Sequence, residues 1–177
     1  RRKILINCCY KKGRGRWLKK VFDIKEELKK QVRGTFTFDK GIVSVTDPCY
    51  SDDVWCRMDN VKIIPGKYNC ISYIDTENKR TFICQICLQG HTSPQQNSKK
   101  ECIGSIGVDA GIAGFYQDKP NYSEEEWYDF CEAIKTNNFD YLINEHGFCT
   151  SSGYGDGSYD VYAYRCKEGI YCLEIVF

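Results

Sequence analysis

Short runs of alternating apolar and polar residues dominate the chain. Thr35-Phe36-Thr37-Phe38 alternates, turns at Asp39-Lys40-Gly41, and alternates again from Ile42 to Thr46, which is the pattern of a hairpin. Asp47-Pro48 ends that strand, because proline has no N–H to donate and restrains the residue before it. Residues 51–60 are polar around Trp55, and Val61–Ile64 runs into the turn signal Pro65-Gly66. Lys67–Ile74 and Arg80–Leu88 read as strands joined by a turn over Asp75–Lys79. After the polar stretch Gly90–Lys100, Cys102–Val108 is a further strand, and Gly111–Lys119 is irregular or briefly extended. Ser158–Arg165 and Gly169–Phe177 form a terminal hairpin around Lys167-Glu168-Gly169. Lys3–Tyr10 is one more short strand, with a basic, glycine-broken loop after it from Lys11 to Arg16.

Two segments carry a helical period instead. Trp17–Gln31 places Trp17, Leu18, Val21, Phe22, Ile24 and Leu28 on one stripe with lysines opposite. Ser123 and Glu126 form a capping box for a helix to about Lys135, with Trp127, Phe130, Cys131 and Ile134 inward. Thr136–Glu145 is mixed and has room for another short helical piece. The expected fold is mainly β (α+β): an antiparallel sheet sandwich or partly closed barrel with two peripheral helices. Its organisation is a basic N-terminal strand/helix extension over 1–33 and a single β-rich domain over 34–177.

Charge sharpens that division. Residues 1–33 hold thirteen Lys/Arg against three Asp/Glu, a net of +10, whereas residues 34–177 hold twelve against twenty-one, a net of −9. The basic arm suits nucleic-acid phosphates through Arg14, Arg16, Lys19 and Lys20, with salt weakening the contact. It equally suits the chain's own acidic surface, or that of a second copy in a homodimer. Chain length, 177 residues, suffices for one compact core. No long apolar run is present, which excludes a helical membrane span. Arg1-Arg2-Lys3 has no extended apolar core behind it, so it reads as a poor signal peptide and the start as that of a trimmed chain or fragment.

Twelve cysteines invite a disulfide reading, yet Cys70, Cys166 and Cys172 occupy apolar positions in strand-like runs, where free cysteine packs as a small hydrophobe. Reduced, buried thiols in a cytoplasmic protein are the expectation. Cys84 and Cys87 have metal-ligand spacing, with His91 and Cys102 beyond them. Four such ligands suit tetrahedral zinc.

Gly147–Tyr164 is the most distinctive stretch. Glycines 153, 155 and 157 surround Asp156 in Ser152-Gly153-Tyr154-Gly155-Asp156-Gly157, and Tyr159 follows. Bare backbone N–H groups there form a nest for an anion, Asp156 offers a carboxylate to a cation, and a tight turn accounts for the same residues. Asp47 and Asp109 end two earlier strands in similar fashion. Were the three strand ends to share one rim, Asp47, Asp109 and Asp156 would hold a divalent cation or act as acid and base. Each alone also reads as a turn cap.

Four motifs recur in order: Val45–Tyr50, Gly66–Tyr68, Gly107–Gly111 and Ser151–Tyr159. By these, residues 34–177 resemble an uncharacterised β-rich bacterial and phage-associated domain family with Asp-Pro-Cys-Tyr, Gly-Val-Asp-x-Gly and Ser-Ser-Gly-x-Gly-Asp-Gly-x-Tyr motifs. The resemblance implies a β fold and a bacterial or phage source, including a role in bacterial or phage conflict. It implies no activity. The functional expectation is a small non-enzymatic binding protein without a cofactor, making protein contacts or holding a small ligand at Asp47, Asp109, Ser152, Gly153, Tyr154, Gly155, Asp156, Gly157 and Tyr159. The alternatives are a metal-dependent hydrolase on the three aspartates and nucleic-acid binding by the N-terminus.

Overall fold

The computed structural model describes residues 4–12, 16–24, 28–50, 55–92, 94, 99–118 and 122–177. Among them the chain runs through β1 (Ile4–Lys12), β2 (Arg16–Ile24), β3 (Leu28–Phe38), β4 (Ile42–Thr46), β5 (Met58–Lys62), β6 (Gly66–Asp75), β7 (Thr81–Leu88), β8 (Lys100–Val108) and β9 (Ile112–Tyr116). The helix α1 (Glu124–Thr136) follows, then β10 (Tyr141–Ile143), β11 (Gly147–Ser151), β12 (Gly157–Arg165) and β13 (Ile170–Val176). Two antiparallel sheets carry the fold, in the orders β10-β11-β9-β4-β5 and β3-β6-β7-β13-β12-β8, and neither closes into a barrel. β1 and β2 pair with each other as a separate two-stranded sheet. No helix among the described residues is long and apolar enough to cross a membrane.

Alternation explains the packing. Inward-facing residues from both sheets, such as Val43, Val45, Phe115 and Phe148 on one and Ile86, Ile106, Leu173 and Ile175 on the other, form one core cluster. Two smaller clusters flank it. One lies on the second face of the six-stranded sheet around Ile71, Tyr73, Cys87 and Cys172. The other forms where Phe130 and Ile134 of α1 meet Ile112, Tyr116 and Cys149. The strip of the sheets where β10 lies against β3 is the edge on which the site described below is built.

The helical expectations change most. The helix expected over Trp17–Gln31 is absent: residues 16–24 are β2, and 28–31 open β3. Trp17, Val21, Phe22 and Ile24 are aromatic or β-branched, residue types that suit a strand, and backbone pairing with β1 and β6 overrides the helical stripe. Among the described residues one helix is therefore present where two were expected. Thr136–Glu145 holds a turn and the strand β10 in place of further helix, while of the two alternatives for Gly111–Lys119 the extended one is present, as the strand β9. β3 also runs unbroken through Gly34, the point where composition placed a division.

The expected α1 is present with its cap. Ser123 accepts from the Glu126 N–H at 3.3 Å, while Glu126 accepts from the Ser123 N–H at 2.8 Å. At its other end Asn138 N–H donates to Lys135 O and Phe139 N–H to Ile134 O, both at 2.9 Å, the paired bonds of a Schellman cap with asparagine where glycine is usual.

Candidate functional site

The three loop segments singled out from the sequence do meet, as backbone. Asp47 is fully buried after β4. Its Oδ2 accepts from the N–H groups of Asp109 at 2.8 Å and Ala110 at 2.6 Å, and its Oδ1 from Cys49 N–H at 2.9 Å. The next turn is tied on when Ser152 N–H donates to Gly111 O at 2.8 Å. Ser152, itself buried, donates its hydroxyl to Gly155 O at 2.6 Å, and Tyr159 donates to the same oxygen at 2.8 Å.

This arrangement corrects the expected carboxylate centre. Asp47 spends its charge on three amides inside the protein, whereas Asp109 and Asp156 are exposed. No group of three or more His, Cys, Asp or Glu among the described residues is placed to hold a metal ion. The cysteine alternative fails for a reason of strand geometry. Cys84 and Cys87 are three apart on β7, so they face opposite sides of the sheet: Cys84 lies in the core between the sheets, Cys87 in the cluster on the other face. His91 stacks on Tyr171 at 4.7 Å, and Cys102 is exposed on β8, where its thiol donates to Gly104 O at 3.6 Å. Of the basic candidates, Arg14 lies outside the described residues, and Arg16, Lys19 and Lys20 fall on β2.

One face of the glycine turn borders a different feature. A groove of about 410 Å³ opens between β3, the β6–β7 hairpin, the loop after α1 and the β11–β12 turn. Arg33, Lys79 and Arg80 line it with Asn137, Asn138 and Phe139, and Ser151 and Gly153 close one side. Among the described residues, Asp140 is the only carboxylate in its wall. That acid is bridged to Arg33 Nη2 at 2.7 Å, so the groove keeps a positive excess in a body whose net charge is strongly negative.

Local backbone explains how the cations arrive there. β3 pairs with β6 through a bulge at Val32/Gly34, which inserts Arg33 as an extra residue and re-aims its side chain. The guanidinium is then fixed from three sides: Nε donates to Ser72 Oγ at 2.7 Å, Nη2 to Asp140, and its plane lies 4.7 Å over the Tyr141 ring. Lys79 sits in the β6–β7 hairpin with φ +58°, the left-handed conformation that favours glycine. Arg80 follows and lies 5.6 Å over the ring of Tyr154, which in turn packs edge-on against Phe82. The hairpin is braced by Asp75, which accepts from Glu77 N–H at 2.8 Å and Asn78 Nδ2 at 2.6 Å. Burial pushes that carboxyl up, but these bonds and the nearby Lys79 outweigh it and hold it below its ordinary value.

Four non-glycine residues among those described have positive φ, and three of them (Lys79, Asn138 and Phe139) line this groove. Asn138 is accounted for by the helix cap. Lys79 and the half-exposed Phe139, φ +54°, hold a costly conformation that capping does not require. Gly153, φ +66°, packs flush on the start of β7: a Cβ there would stand 1.9 Å from Thr81 O.

Of the expected ligand residues, Gly153 lines the groove and Tyr154 stands beside it through Arg80. Asp47, Asp109, Ser152, Gly155, Asp156, Gly157 and Tyr159 do not line it. Arg33, Lys79, Arg80 and Asn137–Asp140 escaped sequence reasoning, because a bulge and a left-handed lysine are tertiary facts. The one available signal was a Lys-Arg pair in a predicted hairpin turn. No protein-family model, curated protein or solved structure matches the chain.

Proposed function

We propose that the chain is a small-ligand-binding protein whose groove takes an anionic molecule carrying a phosphate or comparable oxyanion. The observation that carries this reading is the coincidence, at one groove, of three cationic side chains with two backbone conformations held against their local preference. Guanidinium and ammonium groups suit oxyanions: Arg33 is preorganised by its fixed contacts, and Lys79 and Arg80 supply exposed positive charge. The side-chain amides of Asn137 and Asn138 add neutral donors. Half-exposed Phe139 and Tyr154 offer apolar surface beside the charge, so an anion with an aromatic or aliphatic body fits better than a bare ion.

The test is an amide-resolved NMR titration at low salt with inorganic phosphate, pyrophosphate and a phenyl phosphate ester. Shifts should concentrate in residues 31–33, 79–81, 137–140 and 151–154. They should be strongest for the ester and fade as salt is raised. A Lys79→Ala/Arg80→Ala variant that folds normally should lose them. No saturable shift with any of the three probes at millimolar concentration, or shifts mapping to another face, overturns the reading.

A further inference from the structure

Among the described residues ten cysteines lie outside any disulfide, and one pair of them is matched across two strands: Cys172 on β13 faces Cys87 on β7. Antiparallel partners alternate between pairs that exchange both backbone hydrogen bonds and pairs that exchange none, the latter standing closer. Phe177 N–H donates to Phe82 O at 2.9 Å, which makes 177/82 a bonded pair. Counting back along the register, 175/84 and 173/86 are bonded, and 176/83, 174/85 and 172/87 are not. Cys87 and Cys172 therefore occupy a non-bonded position, where Cα atoms stand about 4.5 Å apart. That value falls within the span a disulfide bridges. Both side chains also point to the same face, since both belong to the cluster on the second side of the six-stranded sheet. The Cys172 thiol already contacts Cys87, and burial holds it protonated well above its usual range.

We infer that Cys87 and Cys172 form a built-in disulfide site that closes when the chain meets a low-molecular-weight disulfide. The thiolate of one cysteine attacks a sulfur of glutathione disulfide, forming a mixed disulfide and releasing one glutathione. The second cysteine then attacks the protein sulfur of that mixed disulfide, releasing the second glutathione. The two protein thiols are oxidised by two electrons, the glutathione disulfide is reduced, and the two protons end on the released thiols. Access is provided by position. The pair is the last rung of the β7–β13 ladder, next to the exposed turn at Gln89 and Gly90, so local opening of one strand end uncovers it without unfolding the sheet. Other neighbouring cysteines lack this placement: Cys70 and Cys84 face Ile86 and Ser72 across their strands, and Cys149 faces Leu142 and Gly114.

The experiment refolds fully reduced chain in glutathione buffers of graded oxidising strength, which bypasses the burial of the thiols. Remaining thiols are then blocked, and the chain is digested and mapped by mass spectrometry without reductant. The expected result is a Cys87–Cys172 cross-linked peptide as the first and dominant disulfide, lighter than the reduced pair by two hydrogens. It should be lost in Cys87→Ala and separately in Cys172→Val, and retained in Cys49→Ala. The oxidised form should also melt several degrees above the reduced one. Both thiols fully blockable after refolding in the most oxidising buffer, or a different pair dominating the map, overturns the inference. This outcome is independent of whether the groove binds anions.

Discussion

Lys79 and Gly153 both line the groove, with opposite relations to their backbone. Both have positive φ, but glycine adopts it freely and lysine does not. Lys79→Gly should therefore raise stability by about 1 kcal/mol while weakening anion binding, a divergence visible when urea unfolding and ligand titration are run on one sample. Gly153→Ala acts the other way. The added methyl meets Thr81 O, so the β11–β12 turn must lift off β7, at a cost of about 2–4 kcal/mol in the same unfolding assay. Asp47 is a third case. Its carboxylate accepts from three backbone N–H groups, and Asp47→Asn turns one acceptor into a donor facing a donor. A loss of about 2–4 kcal/mol is expected, with anion affinity retained in the folded fraction. Wild-type stability in Asp47→Asn would remove its role as the tie between the turns.

Elements differ in how openly they announced themselves. Most strands of the two sheets and the helix α1 were legible, because alternation and the Ser123/Glu126 box are local signals written within a few residues. The segment Trp17–Gln31 reads as a helix yet pairs as strand, since an amphipathic stripe of aromatic and β-branched residues fits either period and only pairing decides. The three turns gather, yet Asp47, one of the expected ligand residues, is held instead by three backbone N–H groups. Within the site, the β6–β7 hairpin has a pH signature of its own. The Asp75 carboxyl sits below its ordinary value when folded, so its contribution is present above the unfolded value. That contribution is lost as pH falls through the folded one. Unfolding free energy should therefore decline as pH drops below about 4, and Asp75→Asn should flatten part of that decline. An identical acid profile in the variant would deny the hairpin this role.

At the scale of the whole molecule, the decisive residue is Arg33. It leaves the six-stranded sheet at a bulge, yet its partners Asp140 and Tyr141 belong to the start of the other sheet, with Ser72 on β6 as the third contact. The bridge to Asp140 thus joins the two sheets at the strip where β10 meets β3, and the same guanidinium forms part of the groove wall. A purely structural tie and a ligand-binding tie predict different cycles. Arg33→Met strands Asp140 beside the groove, Asp140→Asn leaves Arg33 in place, and the double variant removes both charges. Stability should show a coupling of about 1 kcal/mol between the two positions, since Asp140 is partly exposed and water screens the pair. Anion affinity should not follow stability. Arg33→Met should lose at least tenfold, whereas Asp140→Asn should bind more tightly than wild type, because the cation is freed from the Asp140 carboxylate. An Asp140→Asn protein that binds phosphate esters no better than wild type would mean that Arg33 serves the sheets alone, and the groove's charge would then rest on Lys79 and Arg80.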